Sequence, residues 1–173
     1  MIKIDKILFP SDLTVYSVAG LDYALTMSKM YDAKLYILHI LDTTAFEDIT
    51  GNIPEMDELY LSLEANKRFE MNRYIRENLK NNSNVFQTLR FGKVDEEIIK
   101  FAEQENVNLI IMEENGVHSK TGLYITGIIE KVLTGTDIPV LKTRGPGVET
   151  EMQFQSNADR NYQLNTFGMA LFN

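Results

Sequence analysis

The chain has 173 residues, 44% of them hydrophobic and 24% charged, with a formal net charge of −8, two histidines and no cysteine. That length builds one domain with a full core and leaves room for a tail. Without cysteine there are no disulfides or zinc–thiolate sites, and the acidic balance without a Lys/Arg-rich block argues against nucleic acid or anionic membrane as the main partner.

The first predicted strand is Lys6 to Pro10, and its closing proline is tolerable where ladder pairing stops. The start of the chain, MIKIDKILFPSD, has charges inside its only apolar run. It is therefore neither a signal peptide nor a membrane span, and a cytoplasmic protein is expected. Ser11 to Thr14 form a polar turn, in which Asp12 or Thr14 is predicted to cap a helix from Val15 to Tyr31. Lys34 to Leu41 is almost wholly apolar, as strands buried on both faces of a parallel sheet are. Within it His39 reads as a hydrogen-bonded strand residue near the sheet end, with a ligand or acid–base role as the alternative. Asp42 to Pro54 is a loop long enough to be a flap. Glu55 to Lys80 reads as a long helix with a core stripe of Met56, Leu59 and Leu63, continued by Met71, Ile75 and Leu79.

Val85 to Phe91 alternates weakly and reads as a strand with one wet face, at an edge. A helix follows from Val94 to Glu105, with Asp95, Glu96 and Glu97 in its first turn. Those carboxylates read as solvated groups at the positive end of the helix dipole, with a catalytic or metal-binding acid patch as the alternative. Asn108 to Met112 is a short buried strand, Glu113 to Leu123 a polar loop with Gly116 and Gly122, and Thr126 to Leu133 a helix. Pro139, Val140 and Leu141 open the last strand. Five strands alternating with four helices imply an α/β fold, an open five-stranded parallel doubly wound sheet with a C-terminal extension. One reversal of strand order then puts a crevice at the C-terminal ends of the first and fourth strands, with Ser11-Asp12 facing Glu113 to Gly116.

Gly145-Pro146-Gly147 ends the domain, which is taken as residues 1–144. Residues 145–173 form a Gln/Asn-rich tail with little periodicity, closing on FGMALF. Its apolar residues Phe167, Met169, Leu171 and Phe172 are expected to dock on the chain's own domain or to exchange with a partner subunit.

The opening KILFPSDLTVYSVAGLDYALTMSKMYDAKLYILHILD and the closing NLIIMEENGVHSKTGLYITGIIEKVLTGTDIPVLKTR resemble the two halves of the universal stress protein family. The likeness covers roughly residues 3 to 144 and follows the element order. It implies the adenine nucleotide α-hydrolase-like arrangement of that family, with ATP or AMP as cofactor. Family members that bind these resemble a consensus of Gly, two residues, Gly, nine residues, then Gly-Ser or Gly-Thr. In an ungapped fit Asp12 matches the acidic residue at the adenine end and Ile40 the aliphatic residue flanking the base. Gly116 matches the second glycine, while Glu113 stands at the first, Thr126 at the third and Gly127 at the hydroxyl residue. A gapped fit aligns His118 to Leu123 with the family's His-Gly-Arg-Thr-Gly-Leu but shortens the loop. The resemblance also implies a homodimer paired through the last strand, here Pro139, Val140 and Leu141. An apolar edge strand left bare favours such pairing on physical grounds too.

The departures carry physical weight. Phosphates approach backbone N–H groups closely, some at positive φ, and a β-branched threonine resists that conformation. A carboxylate at Glu113 about 4 Å from a phosphate costs on the order of 4 kcal/mol at an effective dielectric of about 20. ATP binding is therefore predicted weak or absent. Three functions compete: a stress-response regulator with an adenine nucleotide or related ligand at Asp12 and Gly116, a dimeric interaction module with a vestigial crevice, and a nucleotide hydrolase. The last would have Asp12 with His118 or Glu113 activate water, without a Ser-His-Asp set, metal cluster or Walker loop.

Overall fold

A computed structural model describes residues 3–14, 17–44, 55–79, 84–114, 123–144 and 154–155, with backbone alone for 55–60, 123–126 and 154–155. Among these residues the strands are β1 (Lys6–Pro10), β2 (Lys34–Leu41), β3 (Val85–Phe91), β4 (Leu109–Glu113), β5 (Val140–Thr143) and β6 (Phe154–Gln155). The helices are α1 (Val18–Tyr31), α2 (Glu55–Asn78), α3 (Val94–Gln104) and α4 (Leu123–Gly135).

The sheet order is β3-β2-β1-β4-β5-β6. The first five strands in chain order are mutually parallel, as the alternation of strand and helix demands. β6 was not expected. It comes from the tail and runs antiparallel to β5, with Leu141 opposite Phe154 and Val140 opposite Gln155. Two residues amid polar neighbours give no alternation to read, which is why the sequence pattern missed it.

Side-chain alternation splits the core in two. Ile7, Phe9, Leu35, Ile37, Leu109, Ile111 and Leu141 face α1 and α2. Leu8, Leu38, Ile110, Met112 and Val140 face α3 and α4. In α2 the expected stripe reaches this core from Met71 onward, through Met71, Tyr74, Ile75 and Leu79, whereas Leu61 and Phe69 are exposed.

Three boundaries move, and each matters for the crevice. α1 begins at Val18, with Ser17 at its N-cap position. Asp12 and Thr14 do not cap it; the Asp12 carboxylate is taken up by its own loop instead. Glu113 is the last residue of β4 and is buried rather than a loop residue. α4 begins at Leu123, three residues before the expected Thr126. The aromatic and β-branched residues in Leu123-Tyr124-Ile125-Thr126 and the glycine after them are poor helix formers in isolation, so tertiary packing decides there.

Candidate functional site

β1 and β4 are neighbours, yet the chain leaves β1 toward β2 and leaves β4 toward β5 on the other side. This is the switch point at which open α/β sheets hold ligands. Ile7 lies opposite Leu109 and Leu8 opposite Ile110. Continuing that register sets Ser11 and Asp12 level with Glu113 and Glu114, as the sequence predicts.

The β1 wall is a wired polar loop. The Ser11 N–H donates to the Leu38 carbonyl at 2.9 Å, tying the loop to β2. Asp12 Oδ1 accepts from both the N–H of Thr14 (3.0 Å) and its hydroxyl (2.8 Å). Asp42 does the same for Thr44 at the end of β2 (3.0 and 2.6 Å). These are Asx-turns, and the Asp-x-Thr spacing is their sequence signal. Leu13, between Asp12 and Thr14, sits at a φ of 62°, a left-handed conformation that the two flanking bonds hold in place.

Behind the loop lies a buried hydroxyl cluster. Ser17 Oγ is 3.0 Å from Ser11 Oγ and 2.9 Å from the Tyr74 hydroxyl of α2, and it reaches the Thr14 carbonyl at 2.9 Å. Burial raises the Tyr74 phenol above its ordinary pKa, against the lowering effect of its serine partners. His39 Nδ1 donates to the Ser11 carbonyl at 2.8 Å, the strand-end bond expected of it. Burial holds this imidazole below its ordinary pKa, although the Ser11 bond pulls the other way. Nδ1 carries the proton, so Nε2 is a bare acceptor. Among the described residues it is buried without a partner, as is Asp12 Oδ2. Ser11 is placed at the crevice by the sequence, whereas Ser17 and the aromatic Tyr74 behind it are not. The one signal was a tyrosine three residues after Met71 on the core face of α2.

The β4 wall differs from what the sequence suggested. The Glu113 side chain does not reach toward a bound phosphate. It is 6% exposed, turned to the α1 face of the sheet, and accepts from the Thr143 hydroxyl at 2.9 Å. Strand alternation explains this: Glu113 shares its face with Leu109 and Ile111. Gly20 of α1 makes the room, because a Cβ there would lie 2.8 Å from Glu113 Cβ, 2.9 Å from Phe9 Cε2 and 3.0 Å from Glu113 Oε2. The expected contact repulsion between Glu113 and a triphosphate is therefore not in place. Glu114, the next residue, pairs with Arg144 through Oε2 and lies 3.9 Å from Lys142 through Oε1. Its bond to Arg144 holds the carboxyl below its ordinary pKa, with burial opposing.

The other predicted site residues are spread around this point. Ile40 is near the end of β2, half-buried against the α3 and α4 core. Gly127 stands in the second turn of α4 with open space around its Cα. A helix beginning at Leu123 commits the N–H of Gly127 to the Leu123 carbonyl. Thr126 is on the same helix, in backbone alone. Gly116 and His118 lie outside the described residues, as do the flap residues 45–54 and the tail residues Phe167, Met169, Leu171 and Phe172. The acidic first turn of α3 is occupied by lysines: Lys93 with Glu96 (2.5 Å), Lys100 with Glu97 (3.1 Å), and Lys131 with Asp95 (3.8 Å). Among the described residues no group of acidic or histidine side chains could hold a metal ion, and no helix is long and apolar enough to cross a membrane.

Comparison with known proteins places this geometry. Residues 3–144 match the model of the universal stress protein family. Universal stress protein MJ0531 of Methanocaldococcus jannaschii is 26% identical over 149 residues, spanning 83% of this chain and 84% of that protein. The solved structure of protein MJ0577 from the same organism superposes with a TM-score of 0.66 at 24% identity, covering 84% of this chain and 99% of the other. A universal stress protein of Archaeoglobus fulgidus in complex with dAMP aligns with a TM-score of 0.52 at 15% identity, over 82% of this chain and 98% of that one.

Proposed function

The chain belongs to the universal stress protein family, and on that premise we propose that it is a cytoplasmic stress-response regulator whose switch-point crevice takes an adenine nucleotide or a related small ligand. The domain is residues 1–144, and 145–173 is an appended tail. The observation that carries this reading is Asp12 Oδ2, a buried carboxylate oxygen with no donor among the described residues, at the level where β1 and β4 diverge. A buried acceptor of this kind calls for a donor beyond those residues, and a ligand can supply it. The amino edge of adenine supplies one, and a structural neighbour holds dAMP. Ile40 flanks the base, and Gly116, Thr126 and Gly127 serve the ribose and phosphate end.

ATP itself binds weakly or not at all. With Glu113 turned into the core, that weakness rests on the β4–α4 side, where Thr126 and Gly127 lie inside a helix whose ladder uses the Gly127 N–H. A monophosphate, asking less of that side, fits better than a triphosphate. AMP, ATP and cyclic AMP titrated calorimetrically, with and without Mg²⁺, test this. AMP is expected to bind more tightly than ATP, and Asp12→Asn to weaken AMP by roughly tenfold through loss of one charged acceptor. Tight ATP binding, or Asp12→Asn binding AMP as the parent does, overturns the reading.

A further inference from the structure

We propose that the outer face of α2 is an assembly surface on which the α2 of another copy of this chain packs antiparallel, centred on Ala65. The starting point is what α2 leaves uncovered. Its packing into the core begins at Met71. Ahead of Met71, Leu61 is 66% exposed and Phe69 63% exposed, and both stand outside the two core groups of the described residues. They are eight residues apart with the exposed Ala65 midway, so the three form one row at i, i+4 and i+8. A helix that carries a second apolar row away from its core has a second surface to bury.

The same row selects the occupant. One step beyond Phe69 it reaches Arg73, and one step before Leu61 it reaches position 57, an aspartate. In order the row reads acid, leucine, alanine, phenylalanine, base. Turned about its own centre, that order is its own complement: Asp57 comes level with Arg73, Leu61 with Phe69, and Ala65 with Ala65. A two-fold axis between two copies performs this reversal, because an isologous contact sets residue i against j and j against i. Rows of residues four apart are also those that interlock in the commonest helix–helix packing, and a small residue at the crossing point suits axes about 8–10 Å apart. The neighbouring charges are satisfied along the helix, Arg68 on Glu64 at 2.7 Å and Lys67 on Glu70 at 2.6 Å. Arg73 reaches Glu77 only at 4.0 Å with both side chains exposed, so little holds it back from the copy.

This surface is separate from the last strand. α2 lies beside β3, where Asn72 Oδ1 accepts from the Gln87 amide at 2.7 Å, and β2, β1 and β4 stand between β3 and β5. It is therefore additional to any pairing through Pro139 to Leu141, and two isologous surfaces on one chain join pairs into larger assemblies. Two apolar side chains and an alanine from each copy make a small contact, below the roughly 1,200 Å² of stable complexes, so it is transient and set by concentration.

The chain has no cysteine, so single introduced cysteines report this contact in the full-length protein. Two copies of Ala65→Cys bring their thiols together at the axis. Two copies of Arg73→Cys hold theirs about 24 Å apart along the helix pair, out of reach of a disulfide. Under mild oxidation Ala65→Cys is expected to form a linked dimer roughly tenfold faster than Arg73→Cys. Adding Phe69→Ser to Ala65→Cys is expected to abolish that advantage and to leave the urea midpoint unchanged, since Phe69 is exposed in the single chain. In the same Ala65→Cys background, Arg73→Asp is expected to slow linking by roughly threefold, and Asp57→Arg added to it to restore the rate. Equal rates for the two cysteine variants, rapid linking that survives Phe69→Ser, or linking indifferent to Arg73→Asp overturns the proposal. So does a urea midpoint lowered by Phe69→Ser without linking at Ala65, a result that seats a segment of the same chain on this row instead.

Discussion

The two walls of the crevice handle carboxylates in opposite ways. On the β1 wall, Asp12 is held by a turn that uses one oxygen and leaves the other buried without a partner among the described residues. On the β4 wall, Glu113 is drawn below the sheet end, closed over by Gly20 and bonded to Thr143. Both are acidic residues directly at or after a buried strand, and their registers differ by one. Glu113 falls on an inward position of β4, while Asp12 falls just past the end of β1. A one-residue difference in register decides which carboxylate keeps an oxygen without a donor among the described residues and which becomes core. The walls therefore make different demands on mutation: the β4 wall in stability, the β1 wall in binding.

The sharpest way to break the β4 wall is Gly20→Ala. The added Cβ meets side-chain atoms at 2.8–3.0 Å, among them Glu113 Cβ and the Phe9 ring, none of them the free end of a flexible side chain except Glu113 Oε2. Overpacking of this kind costs about 2–3 kcal/mol, read as a lowered midpoint in urea. A Gly20→Ala protein as stable as the parent would mean that Glu113 is not held where it is described. Thr143→Val comes next. It keeps the shape but takes a donor from a buried carboxylate, at a cost of about 1–2 kcal/mol. The double variant Thr143→Val with Glu113→Gln should recover part of that loss, because the remaining side chain carries no charge.

Much of this frame was legible in the sequence. The buried strands read as Lys34 to Leu41 and Asn108 to Met112 announce themselves by near-continuous apolar runs, and the structure sets them at Lys34–Leu41 and Leu109–Glu113. The switch point follows from their order alone. What escaped is of two kinds. Glu113 and the start of α4 depart from the sequence reading because burial and packing override the loop preference of a charged residue and a glycine. The hydroxyl cluster of Ser11, Ser17 and Tyr74 and the β6 strand escaped because both depend on contacts between residues far apart in the chain, with no local periodicity to betray them. Asp12 is a candidate by position alone, and nothing local in the sequence tells how its two oxygens divide between the turn and the crevice.

His39 makes the β1 wall sensitive to acid. Burial lowers its folded-state pKa below the ordinary 6.5. As pH falls through about 6.5 the unfolded chain takes up a proton that the folded chain refuses, so stability declines from there downward. The effect is smaller than the two core substitutions, since one group titrates. Thermal melts of the parent are expected to fall more between pH 7 and pH 5.5 than those of His39→Gln, whose side chain can still donate toward the Ser11 carbonyl. Parallel curves for the two proteins would remove His39 as the cause.

The smallest effect belongs to the surface end of the β4 wall. Glu114 pairs with Arg144 and lies near Lys142, and the Arg144 bond lowers its carboxyl pKa. A carboxyl lowered in the folded state contributes its stability above the ordinary value of 4.5, and loses it as pH falls through the folded-state value. Arg144 is half exposed, so the pair is worth a few tenths of a kcal/mol. Arg144→Ala should therefore lower the melting temperature slightly at pH 7 and by less as pH falls below 4.5, and added salt should shrink the difference. A deficit that neither acid nor salt reduces would assign the role of Arg144 to packing of its methylene stem beside β4 instead of to its charge. The contrast with Glu113 is then complete at neighbouring positions. The inward carboxylate stabilises through a buried neutral donor that salt does not reach, and the outward one through a cation that salt screens.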